Sequence, residues 1–276
     1  MSISSVGRFL IYVLGTVLGI VAFFYPFFAP IEQRPGGAAL SGGSRIPLLL
    51  TLVVGVCFLA LLFEVQKSAT GTKLVALLGV LVAINAMLRF AEVAIPGPAG
   101  FSPIFFLVTL TGYVFGPGFG FLMGAMTLLV SALITGGIGP WLPFQMLAAS
   151  WIGMSAAAPR LLIKGVGRED TGLEVVILAF FSGVWGLCYG LLINLYFWPF
   201  IAGPDTMYWQ AGISVAETVR RYLAFYATTS LIWDLMRLVG NVVMMAVLGR
   251  ATLRVLRRFR RRVSFDYQPL SPKGGP

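Results

Sequence analysis

The chain has 276 residues, 58% of them hydrophobic and 11% charged, with mean hydropathy +0.90 and net charge +10. Soluble domains carry roughly a quarter charged residues, so this composition excludes a soluble globular protein and indicates an integral membrane one. Histidine is absent, which removes the commonest general base, the imidazole metal ligand and any Ser/His pair.

A hydrocarbon core needs about 20 apolar residues per helix. On that scale eight spans are expected, at 9–29, 46–66, 73–94, 102–116, 118–135, 142–163, 174–200 and 221–249. The first follows Arg8, runs on too long for a signal-peptide core and lacks a clear small-x-small cleavage site, so it reads as a retained helix. Together with the second it forms a hairpin, 1–66, joined to the rest by QKSATGTK. Residues 67–250 form a compact unit of six spans, and 251–276 read as a basic cytoplasmic tail, disordered after Arg262. The connections at 30–45 and 201–220 are too short to hold a core of their own, so function resides in the bundle.

Cys57 and Cys188 sit within apolar runs, where cysteine behaves as a small hydrophobe. Their spacing suits neither a metal site nor a disulfide framework. Alternating the spans from a cytoplasmic Arg8 places Lys67, Lys73, Arg160, Lys164, Arg168, Lys273 and the seven arginines of 250–262 inside. Only Arg34, Arg45, Arg220 and Arg221 fall outside, a bias that supports cytoplasmic termini. The arginine run reads as an anchor beside anionic lipid rather than as a nucleic-acid surface.

Small residues at spacing four allow helices to approach closely in lipid. They recur as Gly79/Ala83, Gly112/Gly116/Gly120/Gly124, Ala149/Gly153/Ala157 and Ser182/Gly186/Gly190. The Gly112 series crosses the FGPGFG turn at 115–120, where Pro117 breaks the helix.

Ionisable groups in lipid face a cavity, a partner or each other. Arg89 and Glu92 stand three apart near the outer end of the third span and can pair. Asp234, Arg237 and Asn241 share a face near the middle of the last expected span, as a structural ion pair or a transport element. Beside Arg89 lies the loop IPGPAGFSPIFF, 95–106, whose irregular backbone at membrane depth must be buried in protein or line a cavity. On the same side falls GPWLPFQM, with Trp141 one turn above Gln145, a buried amide that needs partners. A site there would draw on Arg89, Glu92, Gln145 and Asn194 for polar contacts, and on Phe101, Phe105, Trp141 and Tyr226 for aromatic walls.

With RFAEVAIPGPAGFSP, YVFGPGFGFLMGAMT, GIGPWLPFQMLAASWIG and WDLMRLVGN followed by LGRATLRVLRRFRRR, the chain resembles the substrate-binding S components of energy-coupling factor transporters. The resemblance covers the six spans from 73 to 249. It implies an all-α six-helix bundle in the bacterial plasma membrane, here with an extra N-terminal hairpin, which binds a vitamin-like nutrient from outside under the 95–102 loop. It also implies a membrane coupling (T) subunit, docked on the face of Ala76, Gly79, Ala83 and Ala86, and two cytoplasmic ATPases. The alanines depart from the strict family spacing. No GxxxxGK[ST] loop is present, so the energy must come from a partner. The GPW-x-P-x-QM element most resembles members associated with cobalamin or its precursors. Two other classes are weighed beside this one. A lipid-modifying enzyme would need a metal-spaced carboxylate pair or a nucleophile with its base, and neither is found; a non-transporting scaffold would use the small-residue faces for assembly alone.

Overall fold

The computed structural model describes residues 3–28, 46–65, 69–94, 101–167, 171–201, 203–210 and 212–263. These residues form ten α-helices and one short 3₁₀ turn, with no strand among them. In chain order they are α1 (Ile3–Phe28), α2 (Ile46–Val65), α3 (Ala69–Ala94), α4 (Ile104–Phe115), α5 (Pro117–Thr135), α6 (Leu142–Ser155), α7 (Ala157–Gly165), α8 (Gly172–Phe197), α9 (Val215–Thr229) and α10 (Leu231–Val263). Five helices among the described residues are long and apolar enough to cross a membrane: Thr72–Ala94, Pro117–Thr135, Leu142–Gly165, Gly172–Phe200 and Leu231–Arg262. The described apolar part of α1, Tyr12–Phe24, and α4 are shorter. At 1.5 Å per residue the 12 residues of α4 reach about 18 Å, well short of a 30 Å core.

Local sequence explains the helix breaks. Gly116 adopts φ 105° between α4 and α5, a conformation that glycine tolerates and side chains resist, and Pro117 opens α5 at a position needing no N–H. Pro159 cannot donate to the carbonyl of Ser155, and the span 142–165 divides there into α6 and α7. The eighth expected span, 221–249, is not one helix. Ser230 leaves helical geometry at φ −130°, ending α9, and α10 starts at Leu231. Thr228 and Thr229 bond back to carbonyls of the preceding turn, an alternative pairing that weakens helix continuation. Helix α9 is a separate amphipathic segment. Its N-terminus is capped by Ser214, which accepts from the Glu217 amide at 3.2 Å.

The centre of the bundle is α5 against α6, with α4 wedged beside them. Gly120 and Gly153 bring two backbones into direct contact: a methyl group on Gly153 would stand 2.0 Å from the Gly120 carbonyl oxygen, and one on Gly112 equally close to that of Gly153. Three glycines of the Gly112 series thus make helix contacts, and Gly116 makes the turn. On the other side, α8 packs along α10 through Gly183, Gly186 and Gly190. Asn85, fully buried, ties α3 to this core by donating to the Ile104 carbonyl (3.2 Å) and the Thr127 hydroxyl (3.1 Å).

The N-terminal hairpin lies against the bundle rather than apart from it. Gly19 sits beneath the Trp151 indole, Gly15 beside Phe121, and the Phe23 ring meets Phe144 and Trp151 at 5.2 and 5.7 Å between centroids. At the other end of the chain α10 continues unbroken through position 250 to Val263, so the start of the expected tail is helical. The disorder expected after Arg262 falls on 264–276, outside the described residues.

Candidate functional site

Starting α10 at Leu231 places Asp234 in its first turn rather than in the middle of a span. A carboxylate there is favoured by the positive end of the helix dipole. The same shift carries Arg237 to the end of the bundle where α3 finishes and α6 begins. The two polar clusters that look separate in sequence therefore meet around one cavity of about 230 Å³.

Each of four helices contributes to its wall. Arg89 comes from α3 and Gln145 from the first turn of α6; Tyr189 and Asn194 come from α8, and Asp234 and Arg237 from α10. Asp234 and Arg237 form an ion pair, with Asp234 buried and Arg237 partly exposed. The carboxylate rests on Gly190, where any side chain would collide with it. The guanidinium lies over the Tyr189 ring, 5.4 Å from its centroid, a cation–π arrangement. Asn241 donates to the Arg237 carbonyl at 2.9 Å, one turn deeper.

Arg89 pairs with Glu92 at 3.4 Å. Glu92 also accepts from Ser102 at 2.9 Å, which anchors the chain leading into α4. Glu92 stands behind Arg89 and outside the cavity lining. Several polar atoms around the site are left over. The Asn194 amide nitrogen is buried with no hydrogen-bond partner, and so is the Arg237 Nε. A buried donor without a partner costs on the order of 1–3 kcal/mol, and two at one cavity wall suit a ligand that accepts from both.

Of the residues expected at the site, Arg89, Gln145 and Asn194 line the cavity. Tyr226 lies buried on α9 beside Asp234, without a well-aligned hydrogen bond of its own. Phe105 is 1% exposed and packs under Tyr189 at 4.6 Å between centroids, so it supports the wall without forming it. Phe101 presses its ring on Gly240 of α10. The expected lid at 95–102 falls largely on 95–100, outside the described residues.

Trp141 is not among the residues that line the cavity. Its ring folds back over Gly139 and its indole donates to the Gly137 carbonyl at 3.2 Å, leaving it 42% exposed and off the cavity. Ala86 is fully buried, whereas Ala76, Gly79 and Ala83 are exposed. Asp234, Arg237 and Tyr189 are the site residues that sequence reasoning did not place there. The Thr-Thr-Ser run at 228–230 was the available signal for the helix break.

Above the cavity α9 closes against α8. Tyr222 donates to the Leu191 carbonyl, and Trp198, Tyr222 and Phe225 form a small aromatic core with Phe27 of α1 packed beside it. Glu217 clasps Arg220 and Arg221 on the exposed side of α9. Those hydrogen bonds, from Arg220 first and then Arg221, hold its carboxyl down at about 2. Arg221 also donates to the Tyr208 carbonyl at 3.2 Å, tying α9 to the preceding loop.

No curated protein and no solved structure matches the chain. A family model does, over residues 73–249, which takes in α4 to α9 and nearly all of α3, excludes α1 and α2, and ends within α10. With a bundle of apolar helices around a polar cavity and this match over more than half its length, the chain belongs to the ECF transporter substrate-specific component family.

Proposed function

We propose that this protein captures a small, polar, vitamin-like nutrient in the cavity between α3, α6, α8 and α10 and presents it to a transporter driven by partner ATPases. Family membership supports a role as a transporter subunit. The observation that carries the reading is the wall itself: two arginines, an aspartate and two amides converge there, with the buried Asn194 amide still lacking an acceptor. Small-molecule sites are built from a few placed polar groups in apolar surroundings, and this one follows that rule.

Size narrows the cargo. About 230 Å³ is room for roughly eight waters at 30 Å³ each, below the usual 300–1,000 Å³ of ligand pockets. A small polar molecule suits a cavity of this size better than cobalamin. The arginine-rich end of α10 faces the cytoplasm on the positive-inside rule, which turns the cavity outward. On the exposed face of α3, Ala76, Gly79 and Ala83 leave open space, with nothing within 4 Å of a methyl group added at Gly79. That face is where the coupling subunit docks in this reading.

The test is a thermal-shift panel of water-soluble vitamins on the purified protein, with mass spectrometry of small molecules that accompany it from membranes. One compound is expected to raise the melting temperature, and its effect to be lost in Gln145→Ala and Asn194→Ala. A panel with no stabilising compound and no copurified molecule would overturn the proposal.

A further inference from the structure

A second and larger cavity, of about 570 Å³, opens at the opposite end of the same two helices. Its wall carries Arg250, Arg254, Arg257, Arg258, Arg261 and Arg262, all from α10. At 100° per residue these six span about 140° of the helix surface, so they form one face rather than a collar. Across from them is the start of α8, where Thr171 and Glu174 complete the lining. A methyl on Gly172 would lie 3.4 Å from the Arg250 guanidinium, so the positive end of the 26-residue α8 and the arginine face converge on one space.

Among the described residues that line the cavity, Glu174 is the one carboxylate. Glu174 is buried and already committed: it accepts from Tyr113 and from both terminal nitrogens of Arg257, which it orients. Arg250, Arg254, Arg258 and Arg262 pair with no carboxylate among the described residues. Counting Glu169 and Asp170, which precede Thr171 in sequence, arginines still outnumber carboxylates two to one.

Depth identifies the occupant. Helix α10 has 33 residues, about 50 Å at 1.5 Å each, against about 30 Å of hydrocarbon. Counted from Leu231, the hydrocarbon ends near Arg250, so the arginine face stands at headgroup level. Exposed apolar side chains occupy the adjoining membrane-depth turns of both helices, Leu173, Val176 and Phe180 on α8 and Val247 and Leu248 on α10. Phosphate oxygens match the guanidinium fork, and acyl chains match exposed apolar side chains at that depth.

We propose that this cavity is a binding site for the phosphate headgroup of an anionic membrane phospholipid, held between the arginine face of α10 and the N-terminus of α8. The site is independent of what the first cavity carries. Native mass spectrometry of the full chain, titrated with phosphatidylglycerol or phosphatidylcholine, tests it. Wild type is expected to retain phosphatidylglycerol in preference. Each arginine is worth roughly fivefold in affinity at a membrane surface, so Arg254→Gln with Arg258→Gln should weaken retention tenfold or more. Both side chains are exposed, so folding is expected to survive; Arg254→Lys with Arg258→Lys should keep most of the binding, and Arg220→Gln on α9 should leave it unchanged. Equal retention of the two lipids, undiminished phosphatidylglycerol binding in the double glutamine variant, or displacement of lipid by inorganic phosphate would each overturn the proposal, the last by making this a site for free phosphate.

Discussion

The two ends of the α8–α10 pair hold charge in opposite ways. At one end Asp234, Arg237, Arg89 and Glu92 balance as two ion pairs around a small cavity, shielded by α9. At the other, six arginines and one buried glutamate line a larger cavity. Balanced charges in a confined space discriminate by hydrogen-bond geometry, because an ill-fitting ligand leaves buried groups unpaired. An excess of one sign attracts any anion of suitable depth and is screened by salt. On the two proposals made above, the same helices present a selective surface at one end and an anchoring surface at the other.

The largest effect should come from breaking the balance. Asp234→Ala leaves Arg237 half-buried without its carboxylate, and removing one partner of such a pair costs about 3–5 kcal/mol. The variant should melt well below wild type and bind no ligand, measured by scanning fluorimetry in detergent. A melting temperature unchanged from wild type would show that the pair does not organise this end.

A glycine at each end of α8 sharpens the contrast. Gly190→Ala would place a methyl 1.6 Å from the Asp234 carboxylate. That contact must be relieved by moving the carboxylate, at about 1–3 kcal/mol. Gly172→Ala meets only ordinary contact with Arg250 and removes a flexible residue from a helix, so it should be neutral or stabilising by about 0.5–1 kcal/mol. Equal losses from the two substitutions would count against the close fit at Gly190.

Acid provides a third handle, because Glu217 holds α9 through a carboxyl lowered from 4.5 to about 2. A depressed folded-state value means that its stabilisation is present above pH 4.5 and is lost as pH falls toward 2. The melting difference between wild type and Glu217→Gln should therefore shrink over that window; a difference that stays constant would show that the carboxylate does not act through its charge. Trp141→Ala should have the smallest effect, changing ligand affinity less than twofold in a titration, since its ring covers Gly139 and not the cavity. A large loss would return Trp141 to the site.

Much of the site could be read without coordinates. Arg89, Gln145 and Asn194 are costly in lipid wherever they point, so each announces itself in an apolar run. The pairing of Arg89 with Glu92 follows from helical spacing alone. Trp141 went the other way: the interface preference of an indole is a property of the residue, but the direction of its ring depends on the turn built by Gly136 to Gly139. Ala86 shows the same limit on α3, where small size is legible and the buried side is not.

Hydropathy determined the membrane setting and most helix positions, because transfer free energy and helix breaking by proline and glycine act residue by residue, and the family was legible as a resemblance of particular motifs. Tertiary structure decided that Asp234 and Arg237 meet Arg89 around one cavity, and how the arginines of the far end of α10 face the start of α8. Those outcomes depend on which helices touch. Contact across the bundle, set by Gly120 on Gly153 and by Asp234 on Gly190, is a property of pairs distant in sequence that no local pattern encodes.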